Sequence, residues 1–149
     1  GARLEVAGKP STDELAESIQ GLAARDTRIT LRLAFLEDAE ISELVGRSSL
    51  IALPYRDMHN SGGVLAALSL DRPVLVPGNE TTEALAHEVG EEWVLRYEEL
   101  TSEVLAAAIA GVSASPPKGR PDLSARGWAD AGRKHLDAYR RAIGLLQHR

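Results

Sequence analysis

The sequence predicts an α/β fold: a Rossmann-like parallel sheet of about five strands with helices on both faces, closed by a long carboxyl-terminal helix. Three observations lead there. Short apolar clusters alternate with helix-patterned stretches five times along the 149 residues. The clusters are rich in Val, Ile and Leu without strict alternation, as strands covered on both faces are. A segment dense in proline then precedes a last amphipathic stretch. Alternation of this kind folds as parallel strands joined by right-handed helical crossovers.

Arg3–Gly8 (RLEVAG) reads as the first strand. The helix that follows, STDELAESIQGLAAR, opens with Ser11 and carries Glu14 three positions on, the spacing of a capping box. Leu15, Ile19 and Leu22 fall on one helical face. Ile29–Phe35 is the second strand. Asp38 is the expected N-cap of the next helix, with Ile41, Leu44 and Val45 inward. Ser49–Pro54 is the third strand. SGGVLAALSL is short and nearly all apolar, so it is expected to be a buried helix. Pro73 opens the fourth strand, Pro73–Gly78, where a missing N–H is tolerated. TTEALAHEVG ends on Gly90, a good helix stop. Glu92–Glu98 is the fifth strand, and Thr101 or Ser102 caps the helix after it. Ser113–Asp122 holds three prolines, one glycine and two cations, which marks a loop. Leu123–Gln147 reads as the long terminal helix, with Trp128, Leu136, Tyr139 and Ile143 forming much of its apolar stripe.

Composition narrows the function. A hydrophobic content of 44% and this length fit one domain, residues 1–149, with a core of its own. The net charge of −5 lacks the basic footprint of a nucleic-acid binder, so no nucleic-acid partner is expected. There is no cysteine, which removes disulfides and thiolate metal sites and fits a reducing, cytoplasmic setting. The four histidines lack ligand spacing, and no metal site is predicted. No apolar run reaches the ~18 residues of a membrane span.

The informative stretch is LPYRDMHNSGGVLAALSLDRPVLVP, Leu53–Pro77. In an open parallel sheet, ligands bind beyond the carboxyl ends of the strands. The loop from Pro54 to Asn60 lies there, and NSGG leads from it into a helix. First-turn amides have no acceptor inside a helix and form the positive end of its dipole. Gly62 and Gly63 remove the side chains that would hold a phosphate off that backbone. The same glycines also fit plain close packing of a helix on a sheet, and NSGG is neither a Walker A nor a GxGxxG motif. Arg56 is a candidate anion clamp and His59 a candidate acid, base or sugar contact. His87, on a helix, reads as structural. No GxSxG nucleophile turn occurs, and no catalytic residue is assigned.

The order of these segments resembles the carboxyl-terminal, donor-binding domain of a GT-B glycosyltransferase. It is most similar to the large retaining family four, or glycosyl transferases group 1. RLEVAGKP resembles that family's strand and turn, and DTRITLRLAFLEDAEISELVGRSSLIALPY its strand, acidic turn, helix and proline-ended strand. SGGVLAALSLDRPVLVP resembles the helix leading into an -RPV- strand, and RGWADAGRKHLDAYRRAI the terminal helix. The resemblance covers nearly the whole chain. It implies a bacterial, cytoplasmic or membrane-peripheral transferase. The partners implied are a nucleotide-sugar donor and a saccharide or lipid-linked acceptor, the latter held through an amino-terminal domain outside these residues. No cofactor is implied, because the nucleotide sugar is itself the substrate.

By the same resemblance, Tyr55, Arg56, His59, Asn60, Ser61, Gly62 and Gly63 line the donor site. Phe35 and Leu36 lie on the nucleobase side. Two departures stand out. Met58 and Ala66 occupy the positions where the family often has glutamates, so the ribose contact is lost or comes from Asp57 or Glu80. The domains of this family also usually begin one strand–helix unit earlier, with cations for the leaving diphosphate; Lys9 does not match their position. The chain alone is therefore expected to be inactive in transfer. Two other readings remain open: a non-catalytic interaction domain that keeps the fold without the donor site, and a flavodoxin-type nucleotide or sugar-phosphate binder.

Overall fold

Val74, Leu75 and Val76 are each at most 1% exposed. Successive side chains of a strand point to opposite faces, so their common burial means that both faces of this strand are covered. The strand is β4 (Val74–Pro77) in a computed structural model that describes residues 1–55 and 62–126. In chain order the elements are β1 (Leu4–Ala7), α1 (Asp13–Ala23), β2 (Ile29–Arg32), α2 (Asp38–Arg47), β3 (Ile51–Ala52), α3 (Gly62–Ser69), β4, α4 (Glu80–Val89), β5 (Val94–Tyr97) and α5 (Ser102–Ala114). Short 3-10 turns occupy Glu91–Trp93 and Ser124–Arg126.

The five strands are present and all pairings are parallel. They form two sheets rather than one: β1 with β2, and β3-β4-β5 in that order. Neither sheet reaches the expected five strands. Strands are also shorter than the apolar clusters that encode them. Ile29–Phe35 yields only Ile29–Arg32, and Ser49–Pro54 only Ile51–Ala52, because pairing partners and not apolarity set where a ladder stops.

The core belongs to the three-stranded sheet. Val64, Ala67 and Leu68 of α3, Val74 and Val76 of β4, Leu85, Ala86 and Val89 of α4, and Trp93 and Val94 form one buried cluster with Val45 of α2. The expected burial of α3 is found on one face, while Leu65 stays 36% exposed. Leu44 and Val45 turn inward as their spacing predicts, while Ile41 stays 37% exposed. On α1 no residue is buried; Leu15 and Leu22 are 44% and 60% exposed, although they share the face predicted to pack.

Helix ends follow capping chemistry, with shifts of one residue. The N-cap of α1 is Thr12, not Ser11; its Oγ1 accepts the Leu15 N–H at 3.2 Å. The N-cap of α2 is Glu37, not Asp38, and the Glu40 carboxylate accepts the Glu37 N–H at 3.0 Å. Thr101 caps α5, as one of the two expected residues. Gly90 ends α4 at φ 109°, a left-handed setting, and a Cβ there would lie 3.0 Å from Trp93 Cδ1.

Thr82 is the one buried polar side chain among the described residues. Its hydroxyl donates to the Pro77 carbonyl at 2.9 Å and accepts the Asn79 N–H at 2.9 Å. Asn79 Oδ1 in turn accepts the Thr82 N–H at 2.9 Å. Helix α5 runs two residues into the expected Ser113–Asp122 loop. After that loop, Leu123 packs on the core and precedes the 3-10 turn at Ser124–Arg126. Arg126 binds Glu88 with both nitrogens Nε and Nη2, at 2.9 and 2.6 Å. The remainder of the expected terminal helix, with Trp128, Leu136, Tyr139 and Ile143, lies outside the described residues.

Candidate functional site

Helix α3 buries one face, Val64, Ala67 and Leu68, and is open at its start. Val64 is 2% exposed and Ala67 and Leu68 are 0%, whereas Gly62 and Gly63 are exposed. A Cβ built on Gly62 would meet nothing within 4 Å. Close packing requires a neighbour against the missing side chain, and Gly62 has none among the described residues. What remains is bare backbone at the positive end of an eight-residue apolar helix, facing outward.

The other groups on the carboxyl-end side of the strands are set by their loops. Beyond β1 come Gly8, at φ 136°, and exposed Lys9. Beyond β2 come Phe35, 75% exposed, and half-buried Leu36. So large an apolar ring left in solvent has no packing role in the described residues. Beyond β3 comes Tyr55, 41% exposed, whose N–H donates to the Leu53 carbonyl at 2.8 Å. Beyond β4 comes Glu80, the exposed first residue of α4. Arg56, Asp57, His59, Asn60 and Ser61 lie outside the described residues, as does Met58.

Sequence reading passed over Tyr97, at the carboxyl end of β5. It is partly buried, and burial raises its hydroxyl pKa above the ordinary tyrosine value. The Gly78 N–H donates to the Tyr97 carbonyl at 2.7 Å, and a Cβ on Gly78 would lie 3.4 Å from that oxygen. An aromatic residue ending a parallel strand was the available signal. His87 is exposed on α4, with Nδ1 3.1 Å from Glu91 Oε1; Glu91 also binds Arg96 at 2.7 Å. This cluster flanks the far end of α4 from the glycine turn.

Taken together, parallel strands alternating with helices are consistent with the Rossmann-like α/β fold expected from the sequence. Sequence comparison finds relatives of the chain described as glycosyltransferases. Its relatives include two proteins of Xanthomonas campestris pv. campestris, each described as a GDP-mannose:glycolipid 4-beta-D-mannosyltransferase. Each is 40% identical over 142 residues, which is 95% of this chain and 41% of the relative. The chain thus spans about two fifths of the length of the curated relatives it matches. No family model and no solved structure matches it.

Proposed function

We propose that this chain is the donor-binding part of a glycosyltransferase that takes a hexose from a nucleotide sugar, with GDP-mannose the first candidate, and passes it to a lipid-linked saccharide. The observation that carries this is kinship along nearly the whole chain with proteins described as GDP-mannose-dependent transferases. The open start of α3 supports it from the side of geometry. In this reading the Gly62 and Gly63 amides receive the diphosphate. Asn60, Ser61 and Arg56 add donors to its oxygens, and Tyr55 and His59 face the sugar. Phe35 and Leu36 lie along the nucleobase, with Asp57 or Glu80 serving the ribose hydroxyls.

The reaction breaks the bond between the sugar's anomeric carbon and the diphosphate oxygen. Negative charge grows on that oxygen, and amides already aimed at it stabilise it without reorganisation. A helix dipole alone supplies only ~0.3–1 kcal/mol at an exposed site. Further cations are therefore needed, and transfer is assigned to the longer polypeptide rather than to these residues by themselves. A lipid-linked acceptor also calls for contact at a membrane surface. No helix among the described residues is long and apolar enough to cross a membrane, so that contact is peripheral in this reading. Kinship with proteins described as transferases favours a working donor site over a non-catalytic module.

Titration of the natural full-length protein with GDP and with UDP tests the proposal, read by calorimetry. The expected result is GDP binding with the stronger affinity. Gly62→Leu is the decisive variant. Its side chain would enter open space, so stability should change by no more than about 0.5 kcal/mol, while the GDP dissociation constant should rise at least about tenfold. Unchanged GDP affinity in a folded Gly62→Leu protein would remove the site from this helix start.

A further inference from the structure

We propose that Thr82 is a positioning residue for the donor: its buried hydroxyl fixes the β4–α4 turn so that the Glu80 carboxylate stands ready for the two adjacent hydroxyls of the nucleotide's ribose. The inference rests on the donor-binding reading above and assigns the ribose contact to Glu80 rather than Asp57.

Thr82 makes more bonds than a helix start needs. It is 0% exposed. Its Oγ1 accepts the Asn79 N–H at 2.9 Å and donates to the Pro77 carbonyl at 2.9 Å, with the Asn79 carbonyl 3.0 Å away. Asn79 Oδ1 already caps α4 by accepting the Thr82 N–H. The caps of α1 and α5 each rest on one such bond, to Thr12 and Thr101. In α2 the reciprocal cap of Glu37 and Glu40 stays within the helix start. Among these four helices, only in α4 does a first-turn side chain reach back to the strand before it. A valine would fill the same space. It would leave the Asn79 N–H and the Pro77 carbonyl without the hydroxyl they share. What the hydroxyl adds is therefore a fixed path for residues 77–79, not volume.

The neighbouring strand pins the same turn from its other side. The Gly78 N–H donates to the Tyr97 carbonyl at 2.7 Å, and a Cβ at Gly78 would lie 3.4 Å from that oxygen. Pro77, just before, has its φ set by its ring. The main chain entering Glu80 thus has little freedom left. A side chain carried on a fixed main chain gives up less entropy when it binds.

Glu80 stands where a ribose contact is needed. It is the first residue of α4, beyond the carboxyl end of β4, and Gly62 is the first residue of α3, beyond the carboxyl end of β3. β3 and β4 are parallel neighbours, and both helices pack into one buried cluster. Packed helices lie about 8–10 Å apart, so the two helix starts fall within the span of one nucleoside diphosphate. Glu80 is exposed and has no ion pair among the described residues. A carboxylate repels a diphosphate. It accepts hydrogen bonds, however, and its two oxygens match two adjacent hydroxyls. A glutamate one helix away from the phosphate site therefore suits the sugar of the nucleotide and not its phosphates.

The natural full-length protein, titrated by calorimetry with GDP and with 2′,3′-dideoxy-GDP, tests the proposal. The unaltered protein should prefer GDP by about tenfold. Glu80→Gln and Thr82→Val should each cut that preference to about twofold or less, by weakening GDP and leaving the dideoxy compound as it was. The double variant should be no worse than Glu80→Gln, because Thr82 acts through Glu80. Thr82→Ser keeps the hydroxyl and should keep the preference. Where Thr82→Val fails to fold, Asn79→Gly takes its place with the same expected loss, since glycine is a tolerated N-cap that frees the turn. A preference retained by Glu80→Gln, or by the folded variant of the turn, overturns the proposal. So does a double variant in which the two losses add. Absence of GDP binding by the unaltered protein overturns the donor-binding reading itself, and this inference with it.

Discussion

The two sheets are built from equally apolar sequence and end in opposite conditions. RLEVAG and ITLRLAF are no less strand-like than PVLVPG. Yet the sheet of β3, β4 and β5 holds nearly every buried side chain, and no residue before Leu44 belongs to the core. Helices repeat the contrast: α4 buries Thr82, Leu85, Ala86 and Val89, while α1, equally amphipathic, buries none. Apolar periodicity thus states that a face is meant to be covered, and only the count of neighbours states whether it is.

The contrast is broken most directly by truncating one leucine on each side. Leu68→Ala removes a side chain that is 0% exposed and should cost ~2–5 kcal/mol, including the cavity it leaves. Leu22→Ala, at 60% exposure, should cost less than about 0.5 kcal/mol. Urea denaturation monitored at Trp93 measures both; equal costs would mean that α1 is covered in solution. A smaller effect belongs to Gly90→Ala. It forces a side chain into a left-handed backbone and against Trp93, at an expected loss of ~1–3 kcal/mol by the same measurement. The smallest effect lies in the amino-terminal pair. Arg28 bonds the Asp26 carboxylate through its guanidinium and its backbone N–H, and holds the carboxyl at about 2, below the ordinary 3.8. A depressed carboxyl pKa stabilises the fold above the ordinary value, and this is lost as pH falls from 3.8 toward about 2. NMR titration of the Asp26 carboxyl should give that low midpoint, and Arg28→Ala should return it toward 3.8.

Much of the fold was legible because its signals are local. Burial of the SGGVLAALSL helix, the stop at Gly90 and the parallel core strands follow from periodicity and backbone chemistry within a few residues. Cap positions slipped by one at Thr12 and Glu37, where adjacent polar residues compete and only the path of the chain decides between them. Division into two sheets was not legible, since pairing across a gap joins residues tens of positions apart. At the candidate site, the glycine pair is legible in the sequence, and Gly62 and Gly63 are exposed at the start of α3. The roles of Arg56, Asp57, His59, Asn60 and Ser61 depend on a loop whose residues lie outside the described structure.

The hydroxyl of Thr82 has a consequence for how a guest could be enclosed. By gripping the last carbonyl of β4 and the amide that begins the α4 cap, it rivets strand, turn and helix into a single stiff corner. Gly78, bonded to the end of β5, extends that corner to the neighbouring strand. Strand end, turn and helix start at this corner are therefore held as one unit, and displacing any one of them breaks hydrogen bonds in the other two.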